Sequence, residues 1–104
     1  MKPAHLRPQA LADRKDYARY YRRVASTRIS EDMVIAAKES LNQIEQNPGM
    51  GSPRIGQLLD IPGLRSWCVS GFPLIWFYFE REGFLDVVRL LGERQDIMAI
   101  LDSN

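Results

Sequence analysis

One cysteine and one histidine in 104 residues remove whole classes of chemistry. A lone Cys68 cannot close an intramolecular disulfide, and the first residues carry no apolar run of the signal-peptide kind, so a reducing cytoplasm is the expected compartment. His5 has neither a second histidine nor a nearby cysteine, which leaves a histidine-based catalytic pair and a zinc site without their parts. Long hydrophobic runs are missing too. The longest, Pro73 to Phe79, falls far short of the roughly 20 apolar residues a transmembrane helix needs. Nor is there an excess of either charge: 14 Lys and Arg stand against 13 Asp and Glu, so net charge gives no blanket attraction to nucleic acid or to an anionic membrane. Basic surface has to be local. Through Asn47 there are nine basic and six acidic residues, and beyond it five and seven, a mild asymmetry.

What is present suits one domain over residues 1–104, large enough for a single modest core. Residues 3–7 can only be a short strand or an extended arm, and Pro8 fits a helix start. From Gln9 to about Ala25, Leu11, Tyr17, Ala18, Tyr21 and Val24 recur near a helical period, with Arg14, Lys15, Arg19, Arg22 and Arg23 opposite. Ser30, followed by Glu31 and Asp32, reads as the N-cap of a second helix from Glu31 to Gln46, with Val34, Ala37, Leu41 and Ile44 as its buried stripe. The Pro- and Gly-bearing run from Asn47 to Pro53 stops that helix, and a loop continues to Pro62. Three strands then follow: Leu64 to Ser70, Leu74 to Phe79, and Phe84 to Leu91. The middle one is almost wholly aromatic or branched, as a strand buried on both faces should be. In the third, Leu85, Val87, Arg89 and Leu91 alternate with Phe84, Asp86, Val88 and Leu90. Ile97 to Leu101 is expected to form a short helix or turn packed back on the body. The order defines an α+β class, β-α-α-β-β-β: a short N-terminal strand, a two-helix hairpin covering one face of the sheet, an antiparallel three-strand meander, and a short C-terminal helix or tail.

Candidate chemistry is thin. Cys68 lies between Trp67 and Val69 inside a strand and reads as a small buried thiol. Asp13 and Asp16 sit among Arg14, Lys15 and Arg19, where ion pairs on a solvated helix face account for them. Gly49, Gly51 and Gly56 do not have the spacing of a phosphate cradle. No cofactor or metal is expected. Arg54, Arg65, Arg89 and Arg94 remain: each can hold a phosphate or carboxylate in bidentate fashion, or pair internally with Asp60, Asp86, Glu93 or Asp96. Tyr17 and Tyr21 match the inward stripe of their helix, while Tyr20 is free to meet a partner.

Several short pieces, in order, resemble the RelE/ParE superfamily from about Ala4 to Leu101. They are Pro8-x-Ala10-x-x-Asp13 with Tyr20, Asn47-Pro48 with Gly51 and Arg54, Gly63-Leu64-Arg65, and Asp86 to Leu91 followed by Arg94-Gln95-Asp96-Ile97. The resemblance implies the toxin of a type II toxin-antitoxin pair, held silent by a ParD-like antitoxin. RelE-type members cut messenger RNA on the ribosome with lysines, arginines and a C-terminal tyrosine. Here the strand after Gly63 offers Arg65 but no lysine, Pro73 stands where an arginine is expected, and Ile100 falls near the tyrosine's place. Arg65 and Arg94 alone survive of that set. ParE-type members poison DNA gyrase on cleaved DNA without covalent chemistry of their own, and the chain is similar to that branch. It departs from it in Gly92-Glu93, where His-Gly or a similar pair is common, and in Arg14, which replaces an apolar residue. The resemblance places gyrase interaction at Arg89, Arg94, Gln95, Asp96 and Ile97, and antitoxin binding around Tyr20, Arg23 and Arg65, along the helical hairpin and sheet edge. Truncation after Gly92 is expected to abolish toxicity and leave a soluble fold. The other readings are a RelE-type mRNA interferase and a non-toxic module that only binds an antitoxin.

Overall fold

A computed structural model describes residues 1–102; the single-domain reading extends to 103 and 104, which lie outside the described residues. The elements are β1 (Ala4–Leu6), α1 (Pro8–Val24), α2 (Thr27–Gln46), a 3-10 turn (Pro48–Met50), α3 (Arg54–Leu58), β2 (Leu64–Cys68), β3 (Leu74–Glu80), β4 (Leu85–Gly92) and α4 (Ile97–Asp102). The sheet order is β1-β4-β3-β2. The meander of β2, β3 and β4 is antiparallel, as expected, and β1 joins its β4 edge in parallel, which makes the sheet mixed.

Both sheet faces are covered, and the aromatic run explains why. On one face Leu74, Trp76 and Tyr78 pack with Met33, Ala37, Leu41 and Ile44 of α2 and with Ala10 of α1. On the other, Phe77 packs with Leu64, Val88, Leu91 and Leu101, joined by Ile55, Leu59, Ile61 and Ile97. The hairpin therefore covers one face, and α3, its following loop and α4 cover the second. Five residues of the segment read as loop, Arg54–Leu58, are helical. A helix of this length shows too little periodicity to stand out from a loop.

The second helix begins earlier than Ser30. Ser26 is the N-cap, its hydroxyl accepting from the Ile29 N–H at 3.0 Å. Ser30 is instead buried and donates to the Ala18 carbonyl at 2.7 Å, tying the two helices together. The helix starts at Thr27, and its apolar stripe is Met33, Ala37, Leu41 and Ile44, while Val34 is exposed. Leu11 and Val24 of α1 are likewise exposed, and Ala10 and Asp13 are its buried residues. Cys68 is exposed, at the end of the edge strand β2.

The strict alternation expected in the last strand is broken by a bulge. Tyr78 pairs with Val87 and Phe77 with Arg89, so Val88 has no partner across the ladder. The extra residue lets two consecutive residues serve one face. Leu85, Val87 and Leu90 join the hairpin-side core, whereas Val88 and Leu91 join the other.

Two buried polar anchors fix the hairpin side. The Trp76 indole donates to the Ala37 carbonyl at 3.1 Å and to the Ser40 hydroxyl at 3.0 Å. Tyr78 donates to the Pro48 carbonyl at 2.7 Å and accepts from the Gly51 N–H at 3.1 Å, and burial pushes its phenol pKa up. A Cβ at Gly51 would lie 2.8 Å from ring carbons of Tyr78, so only glycine admits this approach.

Candidate functional site

The chain's C-terminal segment is held in place by α1, through the part of the β4 edge that β1 leaves open. β1 pairs only with Leu85 to Val87, and beyond them Asp13 and Tyr17, one helical turn apart, take over. The Leu90 N–H donates to Asp13 Oδ2 at 3.0 Å, and the Gly92 N–H donates to Tyr17 Oη at 2.8 Å. Side chains of a helix thus do for β4 what a longer neighbouring strand would do.

Asp13 is the centre of this arrangement. Besides Leu90 it accepts from Arg89 Nε at 2.8 Å, from Arg89 Nη2 at 3.0 Å and from Gln9 Nε2 at 3.2 Å. The reading of Asp13 as one of a pair on a solvated face is corrected by this: its side chain is 7% exposed. Arg89 pairs internally, but with Asp13 and not with the Asp60, Asp86, Glu93 or Asp96 considered from the sequence. Asp16 does remain on the surface, paired with Arg19.

The five residues assigned to the target contact do unequal structural work. Gln95 Oε1 accepts from the Tyr17 hydroxyl and, at 2.7 Å, from the Gly92 N–H. Burial raises the Tyr17 pKa, partly offset by the hydrogen bond from Gly92. Asp96 accepts from the Ala99 N–H at 3.2 Å, and Ile97 packs into the second core. Arg94 is exposed and makes no hydrogen bond or ion pair among the described residues. Gln95, Asp96 and Ile97 therefore build and anchor the segment, Arg89 is tied to Asp13 within β4, and Arg94 presents a charge outward. Because Leu101 is buried with Phe77, Val88 and Leu91, truncation after Gly92 strips the second core as well as the surface, and toxicity lost that way has two causes.

The three residues assigned to antitoxin binding are not one cluster. Tyr20 is 47% exposed on α1, edge-on to Tyr21, with the Arg23 guanidinium 5.8 Å from its ring centroid. Arg65 lies on β2, separated from β4 and the α1 side by β3. Its Nη1 donates to the Gly51 carbonyl at 2.6 Å and to the Gly49 carbonyl at 3.3 Å, pinning the turn after α2. The β2 edge beside it is partly closed, since Ser52 and Ser66 exchange backbone hydrogen bonds at 2.9 Å.

The sequence reading missed a pair of arginines on one carboxylate. Arg7 donates to Asp86 through Nε at 2.9 Å and Nη2 at 2.8 Å, and Arg81 donates to the same carboxylate through Nη2 at 3.1 Å. The Arg7 hydrogen bond, with Arg81 adding to it, lowers the Asp86 pKa against the opposing effect of burial. Nothing in Arg7 and Asp86, 79 positions apart, announces such a contact; it exists because β1 runs parallel to β4.

An α+β module of this order, with its candidate residues spread over surfaces and an anchored C-terminal segment, has the architecture expected of RelE/ParE-type proteins. A family model described as "ParE toxin of type II toxin-antitoxin system, parDE" matches residues 4–97. The chain belongs to the ParE toxin family of type II toxin-antitoxin systems. Among solved structures, a chain of the "Chromosomal ParDE TA system from P. aeruginosa" superposes with a TM-score of 0.75 at 18% identity, over 88% of this chain and 96% of that one. At that identity the likeness speaks to fold. No curated protein matches the sequence at a significant level. No helix among the described residues is long and apolar enough to cross a membrane.

Proposed function

We propose that this toxin acts in the cytoplasm by trapping DNA gyrase on cleaved DNA, without catalysis of its own, and that a ParD-like antitoxin neutralises it. Membership of the ParE family carries the reading. The site geometry supports it: Arg94 extends from a segment that Tyr17 and Gln95 fasten to the sheet, so a target would meet a preformed surface. Arg94 is the first contact to test, with Gln95, Asp96 and Ile97 acting mainly by setting its position. Tyr20 and Arg23 are the antitoxin contacts that the structure leaves accessible.

The deciding experiment adds purified protein to a gyrase supercoiling reaction with ATP and scores lost supercoiling and protein-linked cleaved DNA. Cleaved complexes that disappear with Arg94→Ala support the proposal. If gyrase is untouched, the proposal fails in this form, and ribosome-dependent RNA cleavage through Arg65 and Arg94 is tested next. Growth unaffected by expression of the chain alone would favour a non-toxic antitoxin-binding module.

A further inference from the structure

A cavity of ≈ 400 Å³ on the second face of the sheet brings together Arg7, Arg81 and Arg89 over an apolar floor that includes Leu64, Phe79, Val88 and Leu101. The three guanidinium groups share one feature. Each is gripped by a carboxylate along its Nε and Nη2 edge, Arg7 and Arg81 by Asp86 and Arg89 by Asp13. The Nη1 group of each makes no hydrogen bond among the described residues. Arg81 is further restrained by stacking on Phe79, its guanidinium carbon 4.5 Å from the ring centroid. These side chains have already lost much of their rotamer freedom, so a ligand need not supply that ordering. Three positive charges against two carboxylates leave one positive charge over at the cavity.

We propose that this cavity is a recognition site for an acidic peptide segment, in which one carboxylate bridges the free guanidinium ends and an adjacent aliphatic side chain covers the floor. A single carboxylate matches the surplus charge, and bonds from guanidinium to carboxylate are among the stronger hydrogen bonds available. A nucleic-acid phosphodiester would match the charge but brings a sugar, not an apolar group, to Leu64, Val88 and Leu101. The apolar floor therefore favours peptide. The inference depends neither on gyrase as target nor on toxicity.

The test titrates acetyl-Leu-Glu-Leu-amide into the 15N- and methyl-labelled full chain by NMR, with acetyl-Leu-Gln-Leu-amide as its uncharged counterpart. The glutamate peptide is expected to shift the Nε–H signals of Arg7, Arg81 and Arg89 and the Leu101 methyls, with a dissociation constant on the order of 0.1–1 mM. Loss of the charge should weaken binding about tenfold. Arg81→Gln should also weaken the glutamate peptide several-fold while melting like the parent, since Arg7 still holds Asp86. Equal binding of the two peptides, shifts confined to another surface, or no saturable shift at millimolar peptide would each overturn the proposal. Shifts at the same arginines with a short DNA duplex but not with the peptide would overturn it in favour of a phosphate site.

Discussion

Replacing Asp13 with alanine removes one residue that four donors use at once, and its effect can be worked out from the geometry. Arg89 would lose both of its carboxylate bonds while only 18% exposed. Breaking a buried pair by removing one partner costs about 3–5 kcal/mol, because the remaining charge is left uncompensated. The partial exposure of Arg89 lets water repay some of that, which brings the charge contribution to about 2–3 kcal/mol. The Leu90 N–H, on the buried β4 edge, loses its acceptor as well, at about 1–2 kcal/mol. The total is about 3–5 kcal/mol, a large share of the 5–15 kcal/mol by which a domain is usually stable.

A double-mutant cycle read by urea denaturation separates this account from simple crowding or cavity effects. Asp13→Ala and Arg89→Met are measured alone and combined. The combined variant removes the stranded charge, so its loss should fall short of the sum of the single losses by about 1.5–3 kcal/mol. Additive losses, or an Asp13→Ala cost under about 1 kcal/mol, would refute the claim that Asp13 is held as a buried anion serving β4.

Four further outcomes can be checked by denaturation or melting. Gly56→Ala should lose about 1–3 kcal/mol, since its Cβ would sit 2.6 Å from the Leu64 carbonyl oxygen and 2.9 Å from that of Ile61; Gly49→Ala, with open space around it, should be near neutral, and equal losses would contradict the packing. Ser26→Ala should cost about 1 kcal/mol as a lost N-cap, and no change would return the helix start to Ser30. Asp86 has its pKa lowered on folding, so its stabilising contribution is present above the ordinary carboxylate range and is lost as pH falls through its lowered folded value. The acid limb of a stability–pH curve should therefore flatten in Asp86→Asn, and an unchanged limb would count against the Arg7 and Arg81 pairing. Tyr20→Ala should weaken antitoxin binding and leave melting unchanged, with unaltered affinity in a titration removing Tyr20 from that interface.

The sequence made the architecture readable because each large element has its own period or composition. The aromatic density of Leu74 to Phe79 required burial on both faces, and both faces are covered. Local chemistry misled at the start of α2, where Ser30-Glu31-Asp32 has the composition of a helix N-terminus but Ser26 has the geometry. The buried stripe takes in Met33 and not Val34 because the face turned to the core is chosen by what the helix packs against, and helical spacing alone does not decide between two neighbouring positions. The bulge at Val88 was not legible at all, for a two-residue period cannot say where it will be interrupted. Cys68 was misjudged for a related reason: strand composition says nothing of which strand lies at the edge.

The candidate residues show the same limit from the side of function. The resemblance implies partner contacts for Arg89, Gln95 and Arg65, and each bonds to the fold itself: Arg89 to Asp13, Gln95 to Tyr17 and Gly92, Arg65 to Gly49 and Gly51. That does not remove them from function, but it changes the kind of effect their loss should have. α1 leaves β1 at Pro8 and runs along the open edge of β4, so Asp13 and Tyr17 complete that strand's hydrogen bonding and Tyr17 also fastens Gln95. The C-terminal segment therefore inherits its position from a helix some eighty residues earlier, Tyr17 and Gln95 being 78 positions apart. Substitutions at Tyr17 or Gln95 should act on a target through geometry, lowering stability and activity together. Arg94, which bonds to nothing among the described residues, should change activity alone. That contrast, measured on the same protein, distinguishes a residue that forms the surface from one that places it.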